Sequence, residues 1–330
     1  MASPPTMGAA PANTYTQPGA AGTVREDLAN IIWRIDPDET PFVSSLQRVG
    51  AKQILTEWLL QTLNTAADVP QPEGFTAVIS PAVKPARLSN VCQIFARTVA
   101  VSGTLRNVDI PGGEDEYNRQ LVLRGLELKR DLELVATGNV VKTATDPRHM
   151  GGMQTWSAAA NTVTGAGGTA GTGDGTTAIV PGTAYDLTLN AVNTVTQAIW
   201  QAGAKATLAI MSGNIKNYFA ALSQGGSGNP IVAQNIVQAS PEGEMTIQGA
   251  VDVYRTNFGT LQLAPDRFMP AHVIEIITPD YVELAPLPNR DMIQTQLATT
   301  GDNTQGMVVF EGTLRVMAPL AFGFVAGLNQ

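Results

Sequence analysis

The stretch 114–136, EDEYNRQLVLRGLELKRDLELVA, constrains this 330-residue chain more than any other. Tyr117, Leu121, Leu128, Leu132 and Val135 recur at steps of three, four or seven, so they share one face of a helix. Arg119, Arg124, Glu127, Lys129, Arg130, Asp131 and Glu133 fill most of the remaining surface. Pro111-Gly112-Gly113 stands before the helix and Gly138-Asn139 stops it. Glu114, Asp115 and Glu116 put negative charge in the first turn, where the helix dipole favours it. The rod is about 35 Å long. Lys129 and Glu133 are spaced i,i+4 and Glu127 and Arg130 i,i+3, but such pairs add only about 0.2–0.5 kcal/mol each. The leucine face must therefore hold the helix in place, and something must cover it.

No catalytic constellation accompanies this strut. His149 and His272 lie 123 positions apart, without partners at metal-ligand spacing. Gly165-Ala166-Gly167-Gly168-Thr169-Ala170 matches GxGxxA, but no strand precedes it and no helix pattern follows, so 164–176 reads as a flexible surface loop. Ser212-Gly213-Asn214 sits where a helix N-terminus could hold an anion, and simple capping by Ser212 explains it. Ser227 lies in GGSGN, which is not a nucleophile elbow. Asp36, Asp38 and Glu39, like Glu114, Asp115 and Glu116, read as loop and helix-start charges. No enzyme activity, cofactor or metal is expected.

Charged residues make up 15% of the chain, against about 25% in a typical soluble domain. So little charge suits a surface covered by partners. The net charge of −8 comes without a basic stripe, which argues against gripping nucleic acid but allows enclosing it. The lone Cys92 reads as a small core residue. No secretory leader and no membrane-spanning helix are read, so synthesis in a reducing cytoplasm is expected.

Residues 1–22 are rich in Pro, Ala, Thr and Gly and read as an arm. Thr23-Val24-Arg25-Glu26 is a capping box for a short helix carrying Leu28, Ile31, Ile32 and Ile35, ended by Pro37 and Pro41. Residues 51–63 and 86–101 read as two strands. About twenty loop residues with Pro70, Pro72, Pro81 and Pro85 separate them, far more than a hairpin needs. An arm reaching over a neighbour would need such a loop. Later, Leu189, Val192, Val195 and Ile199 form a helix face capped by Asp186 or Thr188 and stopped by Gly203. A strand is expected at 207–211, a helix at 214–222, and strands at 245–254, 260–264 and 272–277. The segments 306–317 and 320–328 suggest a closing hairpin across Ala318-Pro319. The pattern is mixed α+β without regular βαβ repetition or internal repeats.

In this order the elements resemble a known family. Arg25-Glu26-Asp27-Leu28, Ile35-Asp36-Pro37-Asp38-Glu39-Thr40-Pro41-Phe42, Glu57-Trp58, Arg87-Leu88-Ser89-Asn90 and Val101-Ser102-Gly103-Thr104 precede or flank the hairpin. Glu127-Leu128-Lys129-Arg130-Asp131-Leu132-Glu133 is the clearest local match. Ser212-Gly213-Asn214-Ile215-Lys216, Thr300-Gly301-Asp302 and Glu311-Gly312-Thr313-Leu314 follow. The chain resembles phage major capsid proteins of the HK97 fold, in the group similar to the SU10-type major head protein.

The resemblance implies an N-terminal arm (1–48), an extended E-loop hairpin lying across the adjacent subunit (49–101), and a peripheral domain with the long helix as spine (102–183 and 300–330). It also implies an axial domain (184–299). Copies would form pentamers and hexamers of an icosahedral virion shell, with a portal protein, around double-stranded DNA held without sequence-specific binding or a membrane. The short stretch before the first motif implies a separate scaffolding protein or none; a cement protein stays open. Synthesis would be in the host bacterial cytoplasm. Trp58, Arg87 and Arg97 are the candidate inter-subunit contacts, since Trp and Arg are typical interface anchors. Packing of Trp58 within its own hairpin is the alternative. Lys52 and Lys84 lie in the hairpin region, but Lys–Asn cross-linking is not expected. The rival readings are an encapsulin-type compartment and an α+β hydrolase with an unrecognised site.

Overall fold

The computed structural model describes residues 34–77, 79, 82–108, 115–223, 237–239, 245–247 and 252–329. The arm, its capping-box helix, Pro111-Gly112-Gly113, Glu114 and Ser227 lie outside the described residues. In chain order, α1 (Pro41–Ser45) starts on a proline and buries Phe42 and Val43. After the two-residue β1 (Gln47–Arg48), β2 (Leu55–Leu60) and β3 (Ala86–Val91) form an antiparallel hairpin, in register from Leu55 opposite Val91 to Leu60 opposite Ala86. Cys92 breaks the run expected as one strand, and β4 (Gln93–Ser102) continues in a different sheet. The short α2 (Gly103–Asn107) is capped by Ser102, which accepts from the Leu105 amide.

The spine helix α3 runs Glu116–Ala136, and the Asp115 side chain caps it by accepting from the Tyr117 amide. Leu121, Leu128 and Leu132 are buried as the periodicity predicts. They join one core with Phe42, Phe95, Phe310 and Leu314. The polar face differs from expectation. Glu133 is fully buried and accepts from the Phe42 and Val43 amides at 2.6 and 2.8 Å, so no Lys129–Glu133 pair forms. Glu127 pairs with Arg124 at 2.6 Å, while Arg130 donates to the Pro37 carbonyl at 3.4 Å, so the expected Glu127–Arg130 pair is absent too. Docking of α1 onto the helix decides the first outcome; Arg124 and the Pro37 carbonyl decide the second.

Downstream come β5 (Thr162–Val163), α4 (Leu189–Gln201), β6 (Leu208–Met211) and α5 (Gly213–Ser223). Thr188 caps α4 and Gly203 ends it with φ +95°. The remaining strands are β7 (Val237–Ala239), β8 (Met245–Ile247), β9 (Val253–Thr256), β10 (Gly259–Pro265), β11 (Val273–Ile277), β12 (Val282–Pro286), β13 (Ile293–Leu297), β14 (Asn303–Val316) and β15 (Gly323–Ala326).

Two sheets organise the chain. The first runs β1-β12-β14-β13, with β4 also paired to β14, and α3 packs on β4 and β14. The second runs β5-β15-β11-β6-β10-β9. Its outer face meets α4 and α5 in a core with Val195, Ile199, Phe219 and Ile276, while Val273, Ile277 and Phe324 on its other face join the spine core. β12 and β13 thus fall in the spine sheet and β15 in the second, so sheet membership cuts across residue 300. The expected closing hairpin does not form: β14 and β15 lie in different sheets, and the turn Pro319–Ala321 carries the chain between them. β15 is buried on both faces, a covered position between β5 and β11 that a hairpin partner of β14 would not have.

The glycine tract is not a free loop. Thr169 bridges Val180, the Lys142 amide donates to the Gly175 carbonyl at 2.9 Å, and Gly165, Gly171, Gly173 and Gly175 are buried. Gly175 has φ +80°, and a Cβ there would stand 3.0 Å from Trp156 Cζ2. Only glycine lets the tract close over that indole.

Candidate assembly surface

The hairpin carries apolar residues where it is most exposed. β2 alternates exposed and half-buried residues, and β3 passes from exposed at Ala86 to buried at Asn90 and Val91. The hairpin is therefore rooted at one end and free at the other. Almost every described residue of 61–85 is exposed. Leu59 is 67%, Leu63 95%, Phe75 54% and Ile79 96% exposed. Single exposed hydrophobics are ordinary, but such a concentration on one projecting element marks a contact surface.

The root is built for rigidity. The Asn90 amide is buried and donates to the carbonyls of Leu314 (2.8 Å) and Gly151 (3.3 Å), while its Oδ1 accepts from the Gly151 amide at 2.9 Å. Lys142 Nζ donates to the carbonyls of Ser89 and Asp174, both at 2.7 Å, and lies 5.6 Å from the Trp156 ring centroid. Burial lowers the Lys142 pKa, partly opposed by the charge of Asp174. Trp156 is fully buried, and Trp58 of β2 packs against it with centroids 5.5 Å apart and planes tilted 37°. The Trp58 Nε1 is buried without a hydrogen-bond partner.

The three contact candidates thus occupy different settings. Trp58 is half-buried at the root, against its own chain. Arg87 is 70% exposed on the hairpin, with Glu57 across the strand pair at 3.5 Å. Arg97 lies on β4 and grips Asp131 of the spine helix through Nε and Nη2, both at 2.7 Å; that pairing raises its pKa. The structure brings Trp58 together with Trp156 and Lys142, which the sequence reading passed over because 58, 142 and 156 share no local pattern. Arg97→Ala should cost at most about 1 kcal/mol, since the pair is largely exposed. Chemical denaturation of the variant checks this; a loss several times larger would give the pair a structural role.

The remaining candidates stay plain. Ser212 Oγ accepts from the Ile215 amide at 3.5 Å. His149 is exposed in a backbone bridge with Thr143. Cys92 is fully buried, and burial raises its thiol pKa, as a core residue requires. No cluster of metal-ligating side chains and no helix long and apolar enough to cross a membrane occurs among the described residues.

Comparison with known proteins fits this geometry. The major capsid protein of Escherichia phage Phieco32 is 30% identical over 136 residues, which are 38% of this chain and 39% of that relative. The capsid asymmetric unit of cyanophage A-1(L) superimposes with a TM-score of 0.66 at 14% identity, over 93% of this chain and 98% of that one. The SrpI encapsulin of Synechococcus elongatus gives a TM-score of 0.53 at 11% identity, over 91% and 92% of the two chains. The fold is therefore HK97-like and α+β, as the resemblance implied. The model of the SU10 major capsid protein family matches residues 10–329, nearly the whole length, and the chain belongs to that family.

Proposed function

We propose that this phage major capsid protein closes, as pentamers and hexamers, into an icosahedral virion shell around double-stranded DNA, and that it acts by assembly rather than catalysis. The observation that carries the reading is the projecting hairpin, whose described apolar residues stand largely exposed while its root is fixed by Asn90, Lys142 and Trp58. It serves as the E-loop, lying across the adjacent subunit. The spine helix with its five-stranded sheet forms the peripheral domain, and the six-stranded sheet with α4 and α5 the axial domain. Trp58 contributes by aiming the hairpin and Arg87 by direct contact, while the surface pair of Arg97 with Asp131 adds little stability. The charge of −8 suits a wall that encloses DNA without gripping it. A portal protein is the expected partner, with synthesis in the host cytoplasm.

The test is electron microscopy of particles formed by the full chain, with nucleic-acid content measured on particles from infected cells. Closed shells carrying genome-length DNA are expected. Shells filled with protein cargo would favour the encapsulin-type reading, which shares the fold. A chain that stays monomeric at micromolar concentration would overturn the assembly reading.

A further inference from the structure

Three carboxyl groups meet where α1, the spine helix and the six-stranded sheet join. Glu133 and Glu275 are 0% and Asp266 is 1% exposed. Glu133 holds the Phe42 and Val43 amides, which are the start of α1. Glu275 is the middle residue of β11, on the face that Val273 and Ile277 turn toward the spine core. Asp266 follows β10 and accepts from the Phe268 amide at 2.9 Å. Oδ2 of Asp266 has no hydrogen-bond partner; the oxygens of Glu275 have none within ordinary hydrogen-bond geometry, their neighbour being the Gln154 amide, which donates to the Thr137 carbonyl at 2.8 Å. Among the described residues the charges acting on the trio are its own members, and no lysine, arginine or histidine side chain contributes. Arg267, next to Asp266, turns its side chain to solvent. Three carboxyl groups this deeply buried and without a cation beside them cannot all ionise, so the group keeps protons.

We propose that Glu133, Asp266 and Glu275 form a lock in which Glu133 ties α1 to the spine helix while Asp266 and Glu275 keep their protons, and that withdrawing those protons sets like charges against Glu133 and loosens the tie. Glu133, with two amide donors, carries negative charge first; Glu275, fully buried with only the Gln154 amide beside it, gives up its proton last. Burial pushes Glu133 up to about 7, against the pull of the Val43 and Phe42 amides and with the charge of Asp266 adding. Burial also raises Glu275 well above the usual range, partly offset by Gln154 and reinforced by Asp266 and Glu133. Asp266 is raised by burial, against the Phe268 and Arg267 amides. All three folded-state values lie above the unfolded ones. The stabilisation is therefore complete below the ordinary carboxylate range and fades as pH rises through about 7 and beyond. The three titrate as one coupled unit.

The full-length chain tests this. Its infrared spectrum should keep a protonated-carboxyl band at about pH 7, where ordinary carboxyls are ionised, and Glu275→Gln should diminish it. The wild-type melting temperature should fall by about 5 °C between about pH 6 and 9, and by at most half as much in Glu275→Gln. Deuterium uptake of a peptide spanning 40–46, corrected for intrinsic exchange, should rise over the same range in the wild type and stay flat in the variant. Absence of the band in the wild type, or equal pH slopes in both proteins, overturns the proposal. Should Glu275→Gln fail to fold, Asp266→Asn removes one of the same three charges and is read in the same way, while the wild-type band decides by itself.

Discussion

Leu132→Ala lowers subunit stability by about 2–5 kcal/mol and removes closed shells from the expressed protein. Leu132 is fully buried, one turn beyond the equally buried Leu128, in the core that joins the spine helix to Phe42, Phe310 and Leu314. The surface charges of the helix cannot make up such a loss. Its Arg119–Glu116 and Arg124–Glu127 pairs are one-turn contacts worth about 0.2–0.5 kcal/mol each. A cavity at Leu132 thus removes a large part of the roughly 5–15 kcal/mol that holds an ordinary domain folded. It also frees a strut on which the arm side and the hairpin side both depend. Urea unfolding measures the first effect and sedimentation of the expressed protein the second. Val122→Ala, at a position 62% exposed on the same helix, should change stability by no more than about 0.5 kcal/mol. Shells of Leu132→Ala with wild-type yield and melting behaviour would remove the helix from the centre of the fold.

What the sequence disclosed follows a physical line. The spine helix, its leucine face, the Thr188 cap and the Gly203 stop are local signals, and each is found where the periodicity and capping residues put it. The reaching hairpin was legible because a loop of that length with four prolines has no place inside a compact core. Long-range choices were not legible. Glu133 looks like its exposed neighbours along the helix, and only the α1 amides, 90 positions away, make it a buried acceptor. Ala318-Pro319 is a good turn signal, but a turn does not say which sheet the next strand enters, and the fully apolar β15 enters the covered one. Glycine abundance at 164–176 reads equally as freedom or as close approach; Trp156 beneath Gly175 decides for close approach. The root of the hairpin escaped for the same reason, because it is assembled from residues 58, 90, 142 and 156, each unremarkable in its own segment.

That root gives the second large effect. Trp58→Ala should leave a folded subunit, weakened by about 1–2 kcal/mol, yet raise the concentration needed for assembly at least about tenfold. Trp58 is only half-buried, so its truncation opens the site to water and leaves no sealed cavity. What disappears is the stack on Trp156, worth about 0.5–1.5 kcal/mol beyond the area it covers. The hairpin then keeps Asn90, Lys142 and its backbone bonds but no aromatic anchor, and each contact at its far end must first meet the entropy of fixing its direction. A shell multiplies that cost, because every subunit presents the same loosened element to a neighbour. Trp58→Phe keeps an aromatic ring against Trp156 and drops an N–H that has no partner, so it should assemble nearly as the wild type does. Near-ultraviolet circular dichroism of unassembled subunits reads the indole pair directly and should lose that signal in both variants. Light scattering against concentration then separates them. Normal assembly by Trp58→Ala would mean that the hairpin is aimed by its backbone bonds, and that the tryptophan pair only fills space beneath it.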